Sequence, residues 1–236
     1  MATRTPPEAD AVWEGIDEQL ARTAAMLESL STDQWDRPSL CDGWTVRHVA
    51  AHLTLQEQSF GDLLGFVARH PRMWRNLTLN ATIRESAVIQ AAELTTDEII
   101  RRIRAGVGSR RHNAFVTPLE KLTDVLVHSQ DMAVPLGIDL AMRPDAGAQA
   151  GTRRWDTRRT WLASVNRRLP LDGIALVATD ADWRRGEGSE ASGPMGAILL
   201  LLTGRPAALD RLSGEGAEAL RARLDGGHPS PRRSRR

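Results

Sequence analysis

Apolar residues recur at spacings of three and four along most of the chain between residues 11 and 137, and this periodicity constrains the fold more than any other feature. The pattern is clearest over residues 11–30. Its apolar positions there are Val12, Ile16, Leu20, Ala24 and Leu27. Because each amphipathic helix must cover its apolar face with another element, the pattern predicts an all-α bundle in this part of the chain.

Start and stop signals divide the pattern into separate helices. Ser31 and Thr95 each open a capping-box motif, Thr45 can cap a helix start, and Pro118 suits a first helical turn. Pro135 and Gly137 provide a stop. The helices predicted from these signals cover residues 11–30, 45–68, 76–92, 96–107 and 118–134.

The pattern changes after about residue 147. One more helix is predicted over residues 148–168, then a strand over 173–179 with a hairpin partner at 182–185. Further helical segments are predicted at 193–202, 206–212 and 215–224. We therefore expect a mainly α protein with a helical bundle over residues 1–168, a small α/β C-terminal domain over 169–225 and a disordered basic tail over 226–236.

Charge and cysteine content restrict the partners. The net charge is +1, and four arginines lie in the last eleven residues, so the composition gives no case for nucleic acid or an anionic membrane. Cys41 is the single cysteine, which excludes an intrachain disulfide. The longest C-terminal apolar stretch, 194–203, is too short to span a bilayer, and the N-terminus is polar. We expect a cytoplasmic protein, monomeric or homodimeric, whose partners are small molecules.

Three side chains on two predicted helices form a candidate metal site. His52 lies on the helix predicted over 45–68, and Asp124 and His128 are four residues apart on the helix predicted over 118–134. Each lies in an otherwise apolar stretch, where an unpaired charge is costly. Two imidazoles and one carboxylate form a ligand set typical of a catalytic divalent metal with an open coordination position. We expect zinc, with nickel or iron as alternatives.

Four neighbouring residues have more than one interpretation. His48 precedes His52 by one turn and is a fourth ligand, a donor to a ligand or a solvated side chain. Asp131 follows His128 by three residues and either accepts the ring N–H of a ligating histidine or neutralises an arginine. Cys41 precedes a helix start, but no base lies at a fixed spacing from it, which favours a structural thiol over a nucleophile. Trp44 either packs before the Thr45 cap or lines the mouth of the site.

Arg205 is the candidate substrate-binding residue of the C-terminal domain. It lies between Gly204 and Pro206, where an apolar helix turns into the next segment. A guanidinium at such a turn can bind a carboxylate through two parallel hydrogen bonds. The alternative is a surface salt bridge.

Two stretches of this sequence carry a family resemblance. Residues 41–53 (CDGWTVRHVAAHL) and 124–137 (DVLVHSQDMAVPLG) resemble the two signatures of the mycothiol-dependent maleylpyruvate isomerase family, which belongs to the DinB-like superfamily of metal-binding four-helix bundles. Residues 180–183 and 202–206 are similar to the C-terminal part of the same proteins. The resemblance spans most of residues 8–225.

The resemblance implies a metal held by His52, Asp124 and His128, and mycothiol as thiol cosubstrate. The family has a glutamate at the position of Asp124, and we expect an acidic residue where this chain has His48. The implied function is that of a metal-dependent thiol transferase or isomerase acting on a small electrophile. From their local sequence we expect Arg205 to be a catalytic residue, and Arg205 and Trp44 to bind the thiol or substrate. One alternative is a non-catalytic, metal-binding DinB-like protein that serves in stress or ligand binding. The other is a structural bundle with no bound metal.

Overall fold

The computed structural model describes residues 7–57, 60–70, 78–113, 116–158 and 169–225. Within them the chain forms helices and one small sheet, which confirms the predicted fold class. The α-helices are α1 (Pro7–Glu28), α2 (Thr32–Trp35), α3 (Val46–Leu53), α4 (Phe60–Arg69), α5 (Leu79–Glu93), α6 (Thr96–Ala105), α7 (Pro118–Ala133), α8 (Pro144–Thr157), α9 (Met195–Leu202) and α10 (Glu215–Asp225). The strands are β1 (Ile174–Ala178), β2 (Arg184–Gly186) and β3 (Ser189–Gly193).

The chain divides into two units, residues 1–150 and 151–236, and the division falls within α8. The domain boundary predicted at residue 168 is the last residue of segment 159–168, which lies outside the described residues. The predicted basic tail over 226–236 also lies outside them. No helix in the described part of the chain is both long and apolar enough to cross a membrane.

In the N-terminal unit, α1 packs against α6 and α7, and α3 packs against α5 and α7. The contact between α3 and α7 brings together two helices that are far apart in sequence. Large aliphatic side chains fill the interior of this bundle. Those with almost no exposure are Ile16, Leu27, Ile99, Ile103, Leu122, Leu126 and Met132.

The helix predicted over residues 45–68 is wrong in one respect, because the structure interrupts it after Leu53. The Thr54 hydroxyl donates to the Ala51 carbonyl at 2.7 Å, and the Thr54 N–H donates to the same carbonyl at 3.1 Å. A threonine that bonds to the backbone of its own turn competes with helix propagation. The chain therefore makes a turn after α3 and resumes at α4.

Helix α7 forms as its sequence signals predict. Thr117 and Glu120 make a complete capping box, and Pro118 occupies the first turn. The helix runs into a short 3₁₀ turn that ends at Gly137, whose φ of 70° is left-handed. These signals fix where α7 begins and ends, and so which of its residues face α3.

The C-terminal unit contains the sheet, in the order β2-β1-β3. β1 pairs antiparallel with β2, which confirms the predicted hairpin. It also pairs in parallel with β3, which the sequence reasoning missed because residues 189–193 contain no β-branched or aromatic residue. Gly188 leads into β3 with φ 112°, and a Cβ there would lie 2.2 Å from the Gly173 carbonyl oxygen, so the turn accepts only glycine. Helices α9 and α10 pack on this sheet.

Candidate metal centre

The three predicted ligands meet where α3 packs against α7. Asp124 lies between the two imidazoles: its Oδ2 is 3.2 Å from His52 Nε2, and its Oδ1 is 3.2 Å from His128 Nε2. His128 follows Asp124 by one helical turn, and His52 is supplied by α3. One ligand atom from each of the three side chains lies within 4.8 Å of the others.

Trp44 forms one side of this cluster. Its ring centroid lies 5.4 Å from that of His52 and 6.3 Å from that of His128, and the two imidazoles meet edge to face at 4.9 Å. Trp44 is buried, and its Nε1 has no hydrogen-bond partner within the described structure. The structure therefore places this indole against both histidines as well as before the Thr45 cap. Its predicted contact with a thiol or substrate stays a prediction.

Asp131 orients the His128 ring through its Nδ1 atom. Its Oδ2 lies 2.8 Å from His128 Nδ1, and its side chain is fully buried. The interpretation of Asp131 as acceptor for a histidine ring N–H is thus confirmed. Because Nδ1 carries the proton that Asp131 accepts, Nε2 of His128 faces Asp124 and His52.

Cys41 belongs to the same network. Its thiol donates to Asp131 Oδ2 at 3.1 Å, and its Sγ lies 3.7 Å from His128 Nδ1. Sequence reasoning found no base at a fixed spacing from Cys41, but the fold places a carboxylate and an imidazole beside it. Cys41, His128 and Asp131 also lie close enough to hold a metal. In this second group the nitrogen is His128 Nδ1, which is already hydrogen-bonded to the fully buried carboxylate of Asp131. Cys41, His128 and Asp131 therefore suit a network that supports the metal ligands better than they suit a metal site open to substrate.

Asp124 and His128 form a strongly coupled pair. Burial alone would raise the pKa of Asp124, but the charge of His128 and hydrogen bonds from both imidazoles hold that pKa well below its usual range. Burial would lower the pKa of His128, but the Asp124 charge outweighs it, and the hydrogen bonds that His128 makes with Asp124, Asp131 and Cys41 add to the effect. The pKa of His128 therefore lies well above its usual value.

The donor set fits a divalent cation. Two imidazole nitrogens and one carboxylate oxygen converge, and the nitrogens facing the carboxylate are the Nε2 atoms. The raised pKa of His128 places a positive charge beside Asp124, and a bound divalent cation would supply that charge instead. Such N/O sets suit zinc, nickel or iron(II). The set leaves coordination positions for water or a small molecule.

His48 caps the N-terminus of α3. Its Nδ1 accepts the Thr45 backbone N–H at 3.1 Å and completes the cap of α3. Burial lowers the pKa of His48, and the neighbouring Arg47 charge lowers it further. A neutral imidazole is the form that accepts this bond. His48 belongs to neither group of candidate ligands among the described residues, and the contact that the structure shows for it, the cap of α3, is a role that the sequence analysis did not name.

Gln56 is a site residue that the sequence reasoning missed. Its Nε2 donates to Asp124 Oδ2, and its side chain is buried. The available signal was its spacing, since Gln56 follows His52 by four residues. On the continuous helix predicted over 45–68, this spacing already places Gln56 on the same face as His52.

Arg205 lies in the C-terminal unit, between α9 and a 3₁₀ helix over Pro206–Arg211. Its Nη1 donates to the Thr203 carbonyl at 2.6 Å. This bond holds the guanidinium beside its own turn. The predicted binding of a thiol or substrate by Arg205 stays a prediction.

Comparison with known proteins agrees with the motifs. The family model described as "Mycothiol maleylpyruvate isomerase N-terminal domain" matches residues 16–118. Residues 16–118 of the chain are therefore similar to this N-terminal domain. The match includes His52 and the first signature and ends before Asp124. No curated protein sequence matches the chain.

Two solved structures share the fold. The crystal structure of the mycothiol-dependent maleylpyruvate isomerase aligns with a TM-score of 0.53 at 13% identity, over 88% of this chain and 92% of that one. The crystal structure of that isomerase's H52A mutant aligns with a TM-score of 0.51, at the same identity and coverage. At 13% identity the likeness is one of fold. It extends the similarity beyond residue 118 into both units of the chain.

Proposed function

We propose that this protein is a metal-dependent enzyme that uses a low-molecular-weight thiol, mycothiol, to isomerise or thiolate a small electrophile. The observation that carries the proposal is the convergence of His52, Asp124 and His128 within 4.8 Å, in a chain whose residues 16–118 match the model of the isomerase family's N-terminal domain. Zinc is the expected metal, with nickel or iron(II) as alternatives.

The chain's own residues prepare the site before any ligand arrives. Asp131 holds the His128 ring so that Nε2 points at Asp124, which removes the need to reorganise that ligand. Trp44 closes one side of the histidine pair with apolar surface. Apolar walls exclude water and strengthen electrostatic interactions at the site.

A bound divalent cation lowers the pKa of a thiol or water that reaches it and supplies a nucleophile near neutral pH. With an activated alkene, the thiol sulfur forms a bond to an alkene carbon, and the electron pair moves onto the adjacent carbonyl group. Rotation about the resulting single bond and loss of the thiol give the other isomer, so the thiol is not consumed. With an epoxide, the sulfur forms a bond to a ring carbon, the bond from that carbon to oxygen breaks, and the oxygen stays on the neighbouring carbon and takes up a proton. With an alkyl halide, the sulfur–carbon bond forms and the halide ion leaves.

Orientation of the substrate requires contacts besides the ligands. Such positioning lowers the activation free energy of many enzymatic reactions by several kcal/mol, and by about 7–11 kcal/mol in favourable cases. We assign it to Arg205, through a two-point contact with a carboxylate, and to Trp44, through apolar contact beside the histidines. Support for Arg205 comes from its position between Gly204 and Pro206, and support for Trp44 from its contact with both imidazoles.

The first test is the metal content of purified protein, for wild type and for His52→Ala, Asp124→Ala and His128→Ala. We expect about one divalent ion per wild-type chain and a large loss in each variant with little change in helix content. His112→Ala is the matched control, because His112 is an exposed histidine of the same unit. Full occupancy in both histidine variants would show that the site is elsewhere.

The second test is turnover of electrophiles, activated alkenes and epoxides among them, with and without mycothiol. Thiol-dependent turnover that disappears with the metal supports the enzyme. Stoichiometric metal with no turnover across the panel would favour the non-catalytic, metal-binding alternative instead.

A further inference from the structure

The turn that follows α3 is joined to α7 at two adjacent residues. Gln56 donates from Nε2 to Asp124 Oδ2. Glu57 accepts at Oε1 from the Lys121 ammonium at 2.7 Å. Lys121 and Asp124 are three residues apart on α7, so they are neighbours on one face of that helix. We name these two contacts the Gln56–Glu57 clasp.

The Gln56 amide is not explained by stability. Its side chain is 7% exposed, and its Oε1 has no hydrogen-bond partner in the described part of the chain. A buried acceptor without a partner loses its hydration and gains nothing in return, whereas leucine of similar size would avoid that loss. The amide nitrogen, by contrast, is bonded to a predicted metal ligand. A buried group left half-satisfied in this way calls for an explanation, and a role at the neighbouring site supplies one.

The orientation of the amide follows from electrostatics. Gln56 Nε2 is the amide atom that lies against Asp124 Oδ2, and a carboxylate that ligates a metal is ionised and only accepts hydrogen bonds. The amide nitrogen, and not its oxygen, must therefore face Asp124. This contact leaves lone pairs on both carboxylate oxygens for further partners, since a carboxylate offers about four acceptor sites.

The second half of the clasp fixes the backbone beside Gln56. The side chain of Lys121 is 2% exposed, and its ammonium also donates to the Arg111 carbonyl at 2.8 Å. Glu57 Oε2 accepts from the Ser109 hydroxyl at 2.9 Å. An ion pair whose cation is buried and whose members make these further hydrogen bonds holds one geometry. Glu57 is thereby anchored to α7, and Gln56, the preceding residue, is presented to Asp124.

From these contacts we propose that Gln56 is a positioning residue for the metal ligand Asp124, and that the Glu57–Lys121 pair sets its place. Gln56 holds Oδ2 so that the carboxylate stays directed between His52 and His128. Without this bond Asp124, which is the most exposed of the three ligands, can rotate toward solvent. The inference rests on the proposed metal centre and concerns how strongly that centre binds and in what geometry.

The test compares Gln56→Leu with wild type and with Gln90→Leu. Gln90 is the matched control because it is a buried glutamine whose Nε2 donates to Thr54 Oγ1 in the same turn, at 3.1 Å, and which makes no hydrogen bond to a predicted ligand in the described part of the chain. Zinc affinity is measured by competition with a chromophoric chelator. Coordination is followed separately by the visible absorption of the protein loaded with cobalt(II).

Loss of a partner that orients a metal ligand typically lowers affinity by about 10–100-fold. We expect at least about a tenfold loss of zinc affinity in Gln56→Leu, with an altered cobalt(II) spectrum, and less than about a twofold change in Gln90→Leu. Equal affinity of Gln56→Leu and wild type overturns the inference, as does an equal loss in both variants. If wild type itself binds no zinc, the proposed function fails first.

A second variant covers the case in which Gln56→Leu does not fold. Gln56→Asn keeps the amide but shortens the side chain by one methylene, so the nitrogen no longer reaches Oδ2. We expect the same loss of zinc affinity and the same spectral change. Wild-type affinity and spectrum in Gln56→Asn would overturn the inference.

Discussion

Asp131→Asn should weaken metal binding without removing any predicted ligand. The asparagine side chain would occupy nearly the same volume, and its amide oxygen can take the place of Oδ2, which accepts from His128 Nδ1 at 2.8 Å and from the Cys41 thiol at 3.1 Å. The substitution thus changes the charge of the acceptor far more than its shape. The side chain of Asp131 is fully buried, so water cannot compensate.

The size of the effect follows from the change of charge. A hydrogen bond to a charged group contributes about 1.5–3 kcal/mol and a neutral one about 0.5–1.5 kcal/mol. We therefore expect the metal-free protein to lose about 1–1.5 kcal/mol of unfolding free energy. A less basic imidazole is also a poorer ligand, and a loss of about tenfold in metal affinity corresponds to about 1.4 kcal/mol.

The assay is chelator competition for affinity, together with thermal or denaturant unfolding of the metal-free protein. Asp139→Asn is the control, since Asp139 is an exposed carboxylate shortly after α7. The control should change neither quantity measurably. If Asp131→Asn binds zinc as tightly as wild type and unfolds at the same denaturant concentration, the orienting role assigned to Asp131 is refuted.

The remaining predictions concern the thiol, the coupled pair and the C-terminal arginine. Cys41→Ser should keep most of the thiol-dependent activity, because a serine hydroxyl can still donate to Asp131; loss of turnover at full metal content would place the chemistry on the protein thiol. The pKa of His128 is raised, so its stabilising contribution in the metal-free protein is complete below about pH 6.5 and is lost as pH rises through the raised value. The pKa of Asp124 is lowered, so its contribution is present above about pH 3.8 and is lost only as pH falls through the lowered value. Metal affinity should instead rise as pH increases through the raised pKa of His128, because the cation and the proton compete for the same imidazole. A metal affinity, measured by chelator competition, that does not change across this pH range would contradict the prediction. Arg205→Lys keeps the charge but loses the two-point geometry, so KM for the thiol or substrate should rise at unchanged metal content; an unchanged KM would remove Arg205 from the site.

The residues that sequence reasoning located best are those tied to helical period and to local caps. His52, Asp124 and His128 come together because α3 and α7 are amphipathic and pack on each other, and the Thr117 capping box and Pro118 fix where α7 begins. Asp131 was also accessible, since its spacing from His128 is a local property of one helix.

What could not be predicted depends on contacts between distant segments. Cys41 approaches Asp131 across 90 residues, and no local spacing encodes that contact. The turn after Leu53 arises from a threonine bonded to its own backbone, against a pattern of apolar residues that continues through it. Strand β3 is set by its pairing with β1, because its own residues have little preference for extended structure.

The separation of the ligands along the chain has a consequence for synthesis of the protein. His52 and Asp124 are 72 residues apart, and the segment that matches the family's N-terminal domain ends at residue 118. At roughly 5–20 residues per second, several seconds pass between the emergence of one ligand and the next. During that interval the nascent chain contains His52 without Asp124 and His128, so the binding site is incomplete. A fragment that stops at residue 118 should therefore stay metal-free at any zinc concentration that loads the whole chain, and cation capture should follow completion of α7.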